Sequence, residues 1–238
     1  MRRSFVSVTW TPDVDPADAQ LLIHVVEDVY DLLRPHFGKP GQFDPLPQVR
    51  VFGAWELTGV PEKAAYRDML WFARHSLDDE HRYILASRYI RIVMLEPWQG
   101  THPHLDLALT AMPILDDRPG PSLGKQTLGA SRRALVSLIS TQRLRQIESP
   151  TLRQLAMRHV FQHYMGQMFN APDPLRGKAL TMINDEAYCT NVCAMRYTPT
   201  AKEALAYGQE QASQAIIYCD DCQRDLVARI TGFHYGVN

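Results

Sequence analysis

Two histidines four residues apart, His159 and His163, and four cysteines in two close pairs, Cys189/Cys193 and Cys219/Cys222, are the side chains of this 238-residue chain whose types and spacing could do chemistry. Residues i and i+4 of a helix lie on one face, so both imidazoles of Arg158-His159-Val160-Phe161-Gln162-His163 can reach a single ion. In the metal-binding pattern H-E-x-x-H, the residue after the first histidine is a glutamate that takes a proton from metal-bound water. That position holds Val160, which can neither accept a proton nor orient a water. In the extended pattern a glycine follows the second histidine by three residues, and a third histidine comes three further on. Gly166 is in place, and Phe169 stands where the third ligand would be. Histidine pairs beside apolar residues are commonly no metal site at all, so this stretch alone decides nothing.

All four cysteines fall in the last quarter of the chain. Cys219-x-x-Cys222 brings two thiolates together and Cys189-x3-Cys193 supplies a second pair, the donor set of a closed, tetrahedral structural zinc site. Four ordinary thiols are the plain alternative. A thioredoxin-like redox pair is disfavoured, because no strand–C-x-x-C–helix context precedes Cys219. Met195, two residues after Cys193, reads by itself as packing.

The elements that must position these groups alternate in the first half. Residues 4–10 read as a strand, and Pro16-Ala17-Asp18 opens a helix with Leu21, Leu22, Val25, Val26, Val29 and Leu32 on its apolar side, ending near Pro35. A loop with Gly38, Pro40, Gly41, Pro45 and Pro47 leads to a second strand over Val49–Leu57, and Pro61 starts a second helix through Leu77. Tyr83–Leu95 reads as strand with a break near Ser87, Leu105–Ile114 and Ala134–Ser140 as further strands, and Pro119-Gly120-Pro121 as a surface turn. Ser149-Pro150 is an N-cap followed by proline at the first helical position, and that helix carries both histidines. A polar loop around Pro172, Pro174 and Gly177 follows, then a helix over 198–216 signalled by Thr198-Pro199, then a helical stretch through the second cysteine pair.

Composition is that of a globular chain: 45% hydrophobic, 21% charged, net charge −1. That balance gives no electrostatic case for nucleic acid or an anionic membrane. Met1-Arg2-Arg3-Ser4 leads into a strand-like run without the apolar core of a signal peptide, and no stretch is long enough to span a bilayer, so a cytoplasmic location is expected.

Taken together, these residues resemble the archaemetzincin family of zinc metalloproteases. His159, His163 and Gly166 match its active-site helix, and Cys189, Cys193, Cys219 and Cys222 match the ligands of its structural zinc. Met195 matches the methionine of the Met-turn beneath the catalytic metal. Leu128-Gly129-Ala130 and Ala134–Leu144 match the strands beside the cleft, where such enzymes lay an extended substrate. The resemblance implies an α/β (α+β) fold: a mixed twisted sheet packed with helices, and a helical C-terminal part bearing the four-cysteine zinc. It also implies a single domain over 1–238, with a sheet–helix part to 168 and a zinc-bearing part over 169–238. The departures are Val160 for the general base, Phe169 for the third ligand, an extra loop between Phe169 and Cys189, and x3 in place of x4 in the first cysteine pair. The expected function is therefore a catalytically silent homologue that binds a peptide or protein partner, with one structural zinc and a vestigial site at His159 and His163. The alternative is an active metallopeptidase whose altered zinc site is completed by Asp173, Asp185 or Glu186 of the inserted loop, or by the His102/His104 pair. A third possibility is an unrelated small-molecule enzyme or regulator that borrows the fold.

Overall fold

The computed structural model describes residues 5–37, 46–118 and 123–235. Strand β1 (Phe5–Trp10) leads into α1 (Pro16–Leu33), where the Asp15 carboxylate caps the helix by accepting from the Ala17 N–H at 2.8 Å, with Pro16 at the first helical position. Strand β2 (Gln48–Gly53) ends four residues before the expected Leu57, because Gly53 enters the left-handed region (φ 66°). The helix expected from Pro61 is confined to α2 (Met69–His75): Tyr66 sits at φ 56°, which no α-helix passes through, and Asp68 supplies the cap. The run expected as strand over Tyr83–Leu95 is strand only at β3 (Ile84–Leu85) and becomes α3 (Ala86–Leu95). Its buried residues Ala86, Tyr89, Ile90 and Val93 recur at i, i+3, i+4 and i+7, and this amphipathic spacing outweighs the β-branched composition.

After α4 (Pro97–Thr101), the single strand expected over Leu105–Ile114 divides into β4 (Leu105–Thr110) and β5 (Ile114–Asp116). The two strands lie in different sheets, β5 pairing with β3 and with β6 (Lys125–Thr127). Strands β7 (Gly129–Arg132) and β8 (Val136–Ser140) precede α5 (Pro150–Met168), whose Ser149 cap accepts from the Leu152 N–H. The segment expected as an extra loop contains a hairpin, β9 (Leu180–Ile183) and β10 (Glu186–Cys189), closed by Asn184 and Asp185 at φ 55° and 62°, the two positive dihedrals of a type I′ turn. Helices α6 (Ala201–Gln214), capped by Thr200, and α7 (Asp220–Tyr235) complete the chain. The Pro119-Gly120-Pro121 turn and most of the 38–47 loop lie outside the described residues.

The main sheet has the order β2-β1-β4-β8-β7, parallel throughout except for β7, which runs antiparallel to β8 at the edge. Along β4, Leu105, Leu107 and Leu109 face one core with α1 and α5, while Ala108 faces a second core with α2 and α3. Helix α6 lies on α5 so closely that a Cβ at Gly208 would come within 2.4 Å of the Leu155 carbonyl oxygen. Among the described residues no helix is long and apolar enough to cross a membrane.

Candidate active-site cleft and metal centres

The histidine helix is buried nearly all round from Ala156 to Met168, because the sheet covers one side and α6 the other. Three hydrogen bonds fasten it to the cleft strands: Tyr164 Oη donates to Gly129 O (2.8 Å), Ser137 Oγ to Tyr164 O (2.8 Å), and Ser131 Oγ to Gln167 Oε1 (2.6 Å). Gly166 faces Met195 so tightly that a Cβ there would meet its sulfur at 2.2 Å. The methionine therefore lies directly under the helix, and nothing larger than glycine fits above it.

His159 and His163 stack with ring centroids 6.4 Å apart. Gln211 spends its amide N–H groups on the carbonyls of Ile216 and Ile217, so its oxygen is left to accept from His159 Nδ1–H (2.5 Å), and Nε2 lies 2.8 Å from the Thr198 hydroxyl, whose proton it shares with the Arg196 carbonyl (2.9 Å). Both ring nitrogens of His159 are thus engaged. His163 donates Nδ1–H to the Ala194 carbonyl (2.8 Å), which leaves its Nε2 lone pair at the floor of a cleft of about 780 Å³. Burial pushes the pKa of His159 down to about 4 and that of His163 to about 3, so both are neutral above that range.

Stability should consequently fall in mild acid. An unfolded imidazole titrates near 6.5, so these sites cost nothing above that pH; between 6.5 and about 4 the unfolded chain takes up protons that the folded one refuses. The expected slope is about 1.4 kcal/mol per pH unit for each histidine. Denaturant melts at pH 7, 6 and 5 check it, and His163→Gln should remove about half the slope.

Val160 and Phe169 are 1% and 0% exposed, both inside the apolar core, Phe169 beside the Tyr30 ring. Neither borders the cleft. Of the residues proposed to complete a histidine site, only Glu186 does. It accepts from Tyr188 Oη (2.7 Å), and Arg118 lies 3.9 Å from it. Asp173 instead pairs with Arg229 (3.0 Å), and Asp185 closes the β9–β10 turn. His102 and His104 line a separate cavity. No grouping of three metal-capable side chains among the described residues includes His159 or His163.

The cysteines do converge. One sulfur from each of Cys189, Cys193, Cys219 and Cys222 lies within 4.8 Å of the others, joining the end of β10, the turn after it and the start of α7. Cys189 and Cys219 sulfurs are 3.6 Å apart, where a tetrahedral zinc with bonds of about 2.3 Å separates its sulfurs by about 3.8 Å. Cys193 Sγ accepts N–H groups from Met195 (3.5 Å) and Cys219 (3.4 Å), and the Arg176 guanidinium reaches Cys222 Sγ at 3.3 Å and Cys189 Sγ at 3.6 Å. Hydrogen bonding from Cys193 lowers the Cys189 thiol, while burial raises that of Cys193. The donor set fits zinc.

A second metal-capable group, Glu96, His104 and Asp106, was not legible as a unit. Its one signal in the sequence is an acid, Asp106, inside the otherwise apolar run Leu105–Leu109. Burial alone would push His104 down, but the Asp106 and Glu96 carboxylates around it raise it to about 10.

A five-stranded mixed sheet over a buried histidine helix, with a methionine packed beneath that helix, defines a metzincin-type fold. More narrowly, the chain has the archaemetzincin fold. It superposes on the crystal structure of archaemetzincin from Methanopyrus kandleri with TM-score 0.58 and 15% identity over 96% of each chain. It also superposes on archaemetzincin from Archaeoglobus fulgidus, complexed with malonate, with TM-score 0.52 and 12% identity over 92% of this chain and 98% of that one. No family model and no curated protein matches the sequence.

Proposed function

We propose that this chain is a catalytically silent metallopeptidase homologue that holds one structural zinc on Cys189, Cys193, Cys219 and Cys222 and uses its cleft to bind a peptide segment of a partner protein. The observation that carries this reading is the state of the histidine helix. The positions of the base and third ligand are sealed in the core as Val160 and Phe169, and His159 has given both ring nitrogens to Gln211 and Thr198. One imidazole nitrogen, His163 Nε2, is left facing the cleft, and a lone neutral ligand does not hold a catalytic zinc.

Strand addition is not the way a peptide would bind. The outward carbonyls of β7 at Gly129 and Ser131 already accept from Tyr164 and Thr127 hydroxyls and from Arg118. Recognition then falls to cleft side chains, among them Lys125, Arg143 and Tyr197. The alternative, an altered active site, draws on Glu186 bordering the same cleft as His163.

Panning a displayed random-peptide library should enrich sequences whose binding is lost in Arg143→Glu, while a quenched fluorogenic peptide library stays uncleaved. Cleavage abolished by His163→Ala, together with loss of a bound metal in that variant, would establish the alternative instead.

A further inference from the structure

The second buried cluster lies away from the cleft, on a cavity of about 400 Å³ that shares no lining residue with it. Glu96 immediately precedes α4, His104 follows that helix, and Asp106 is the second residue of β4, so one short excursion of the chain brings the three together. His104 Nε2 lies 2.9 Å from Glu96 Oε1 and 3.3 Å from Asp106 Oδ2, and all three side chains are about nine-tenths or more buried. Glu96 Oε1 is the telling atom. It is buried, and its close polar neighbour is the His104 imidazole, so the carboxylate meets the ring nitrogen and no water.

The surroundings hold these donors in place. His104 gives Nδ1–H to the His102 carbonyl at 2.7 Å, which aims Nε2 inward, and its ring stacks on Phe5 at 4.7 Å with the planes 5° apart. Gln99 donates its amide to Asp106 Oδ2 (3.0 Å) and accepts the His104 backbone N–H (3.4 Å). A ligating histidine whose other nitrogen is tied to a carbonyl, and a ligating carboxylate that is itself hydrogen-bonded, are the supports that metal sites require. An ion with bonds of about 2.1 Å separates its donors by about 3.0 Å at right angles and about 3.4 Å at tetrahedral ones, close to the observed 2.9 and 3.3 Å.

We propose that Glu96, His104 and Asp106 bind a divalent first-row transition ion whose open positions face the aromatic cavity walled by Phe52, Trp55, Phe72 and Trp98. One nitrogen and two carboxylate oxygens suit manganese(II), iron(II) or zinc better than copper or a thiolate-seeking ion. Binding displaces the Nε2 proton to solvent, because the two oxygens that flank that proton are the ones that take the ion. The site is independent of the cysteines and of the histidine helix, so it stands or falls apart from the function proposed above.

The test is a manganese(II) titration of protein carrying one zinc per chain, held at the cysteines, followed by loss of the free-ion electron paramagnetic resonance signal. One manganese per chain is expected, with spin-echo modulation from a single histidine nitrogen. Glu96→Gln and Asp106→Asn should each weaken uptake about tenfold or more, while a His159→Ala/His163→Ala double variant binds as wild type does. Because the nitrogen modulation is read on the wild-type chain, the outcome does not depend on how well the variants fold. Absence of saturable uptake, a bound signal lacking nitrogen coupling, or uptake that follows His159 and His163 would each overturn the assignment.

Discussion

Cys222→Ser is expected to abolish the zinc binding proposed for the four cysteines and to lower the melting temperature by about 10 °C or more, a loss of roughly 4 kcal/mol or greater at this chain length. The cysteine sulfurs join the end of the β9–β10 hairpin, the turn carrying Cys193 and the first turn of α7, which otherwise meet through backbone bonds such as Cys189 N–H to Met195 O (2.8 Å) and Ala194 N–H to Ile217 O (2.9 Å). Arg176 is only 7% exposed on its side chain and is held by Cys222, Cys189 and Asp225, the last at 2.9 Å. With a metal-bound thiolate cluster beside it the guanidinium is neutralised from several sides. In the serine variant, with no ion bound, a buried cation retains one carboxylate. Because such a site does not exist in the unfolded chain, the free energy of metal binding enters directly as stability. Chelation of the wild-type protein should reproduce the effect, and Arg176→Met should weaken zinc retention without removing a ligand. Elemental analysis alongside thermal melts measures both. A Cys222→Ser protein that keeps the same zinc content and melts with wild type would show that the cysteines are only packed thiols.

Much of this arrangement could be read from residues with fixed local meaning. Ser149-Pro150 and Asp15-Pro16 start helices where capping chemistry says they must, and His159 and His163 share a face because their spacing allows nothing else in a helix. The cysteine pairs were legible because four thiols without a remainder have few uses in one chain. What stayed hidden depends on contacts across the sequence. Tyr83–Leu95 is rich in β-branched and aromatic residues, and only its packing over the second core makes Ala86–Leu95 a helix. Thr198 reads as a helix cap, yet Thr200 caps α6 and Thr198 instead occupies His159 Nε2. Gln211 meets His159 only because Gly208 lets α6 settle against α5. Glu96, His104 and Asp106 look like an exposed loop and a strand until the chain doubles back on itself.

Val160→Glu, the substitution that would supply the general base of the H-E-x-x-H pattern, is expected to destabilise the chain by about 3–5 kcal/mol and to confer no peptidase activity. The side chain at this position is 1% exposed and packed among apolar residues of the main core, not at the cleft wall. A carboxylate placed there must stay protonated, or drag water or the helix with it. Phe169→His would add a second fault, because Phe169 is fully buried where α5 ends, beside Tyr30. Replacing it with a smaller polar ring leaves both a void and an unmatched nitrogen. Even the double variant would lack a usable zinc site, since His159 Nε2 remains bonded to Thr198. On the function proposed above, two exchanges would therefore not complete a site: the helix face is packed into the core, and its first imidazole ties α5 to α6 and the segment before it. Thermal melts and a zinc-supplemented fluorogenic peptide assay on both variants decide the matter. A Val160→Glu protein as stable as wild type, cleaving peptides in a manner that requires zinc and His163, would mean that the cleft is a peptidase short of a single group.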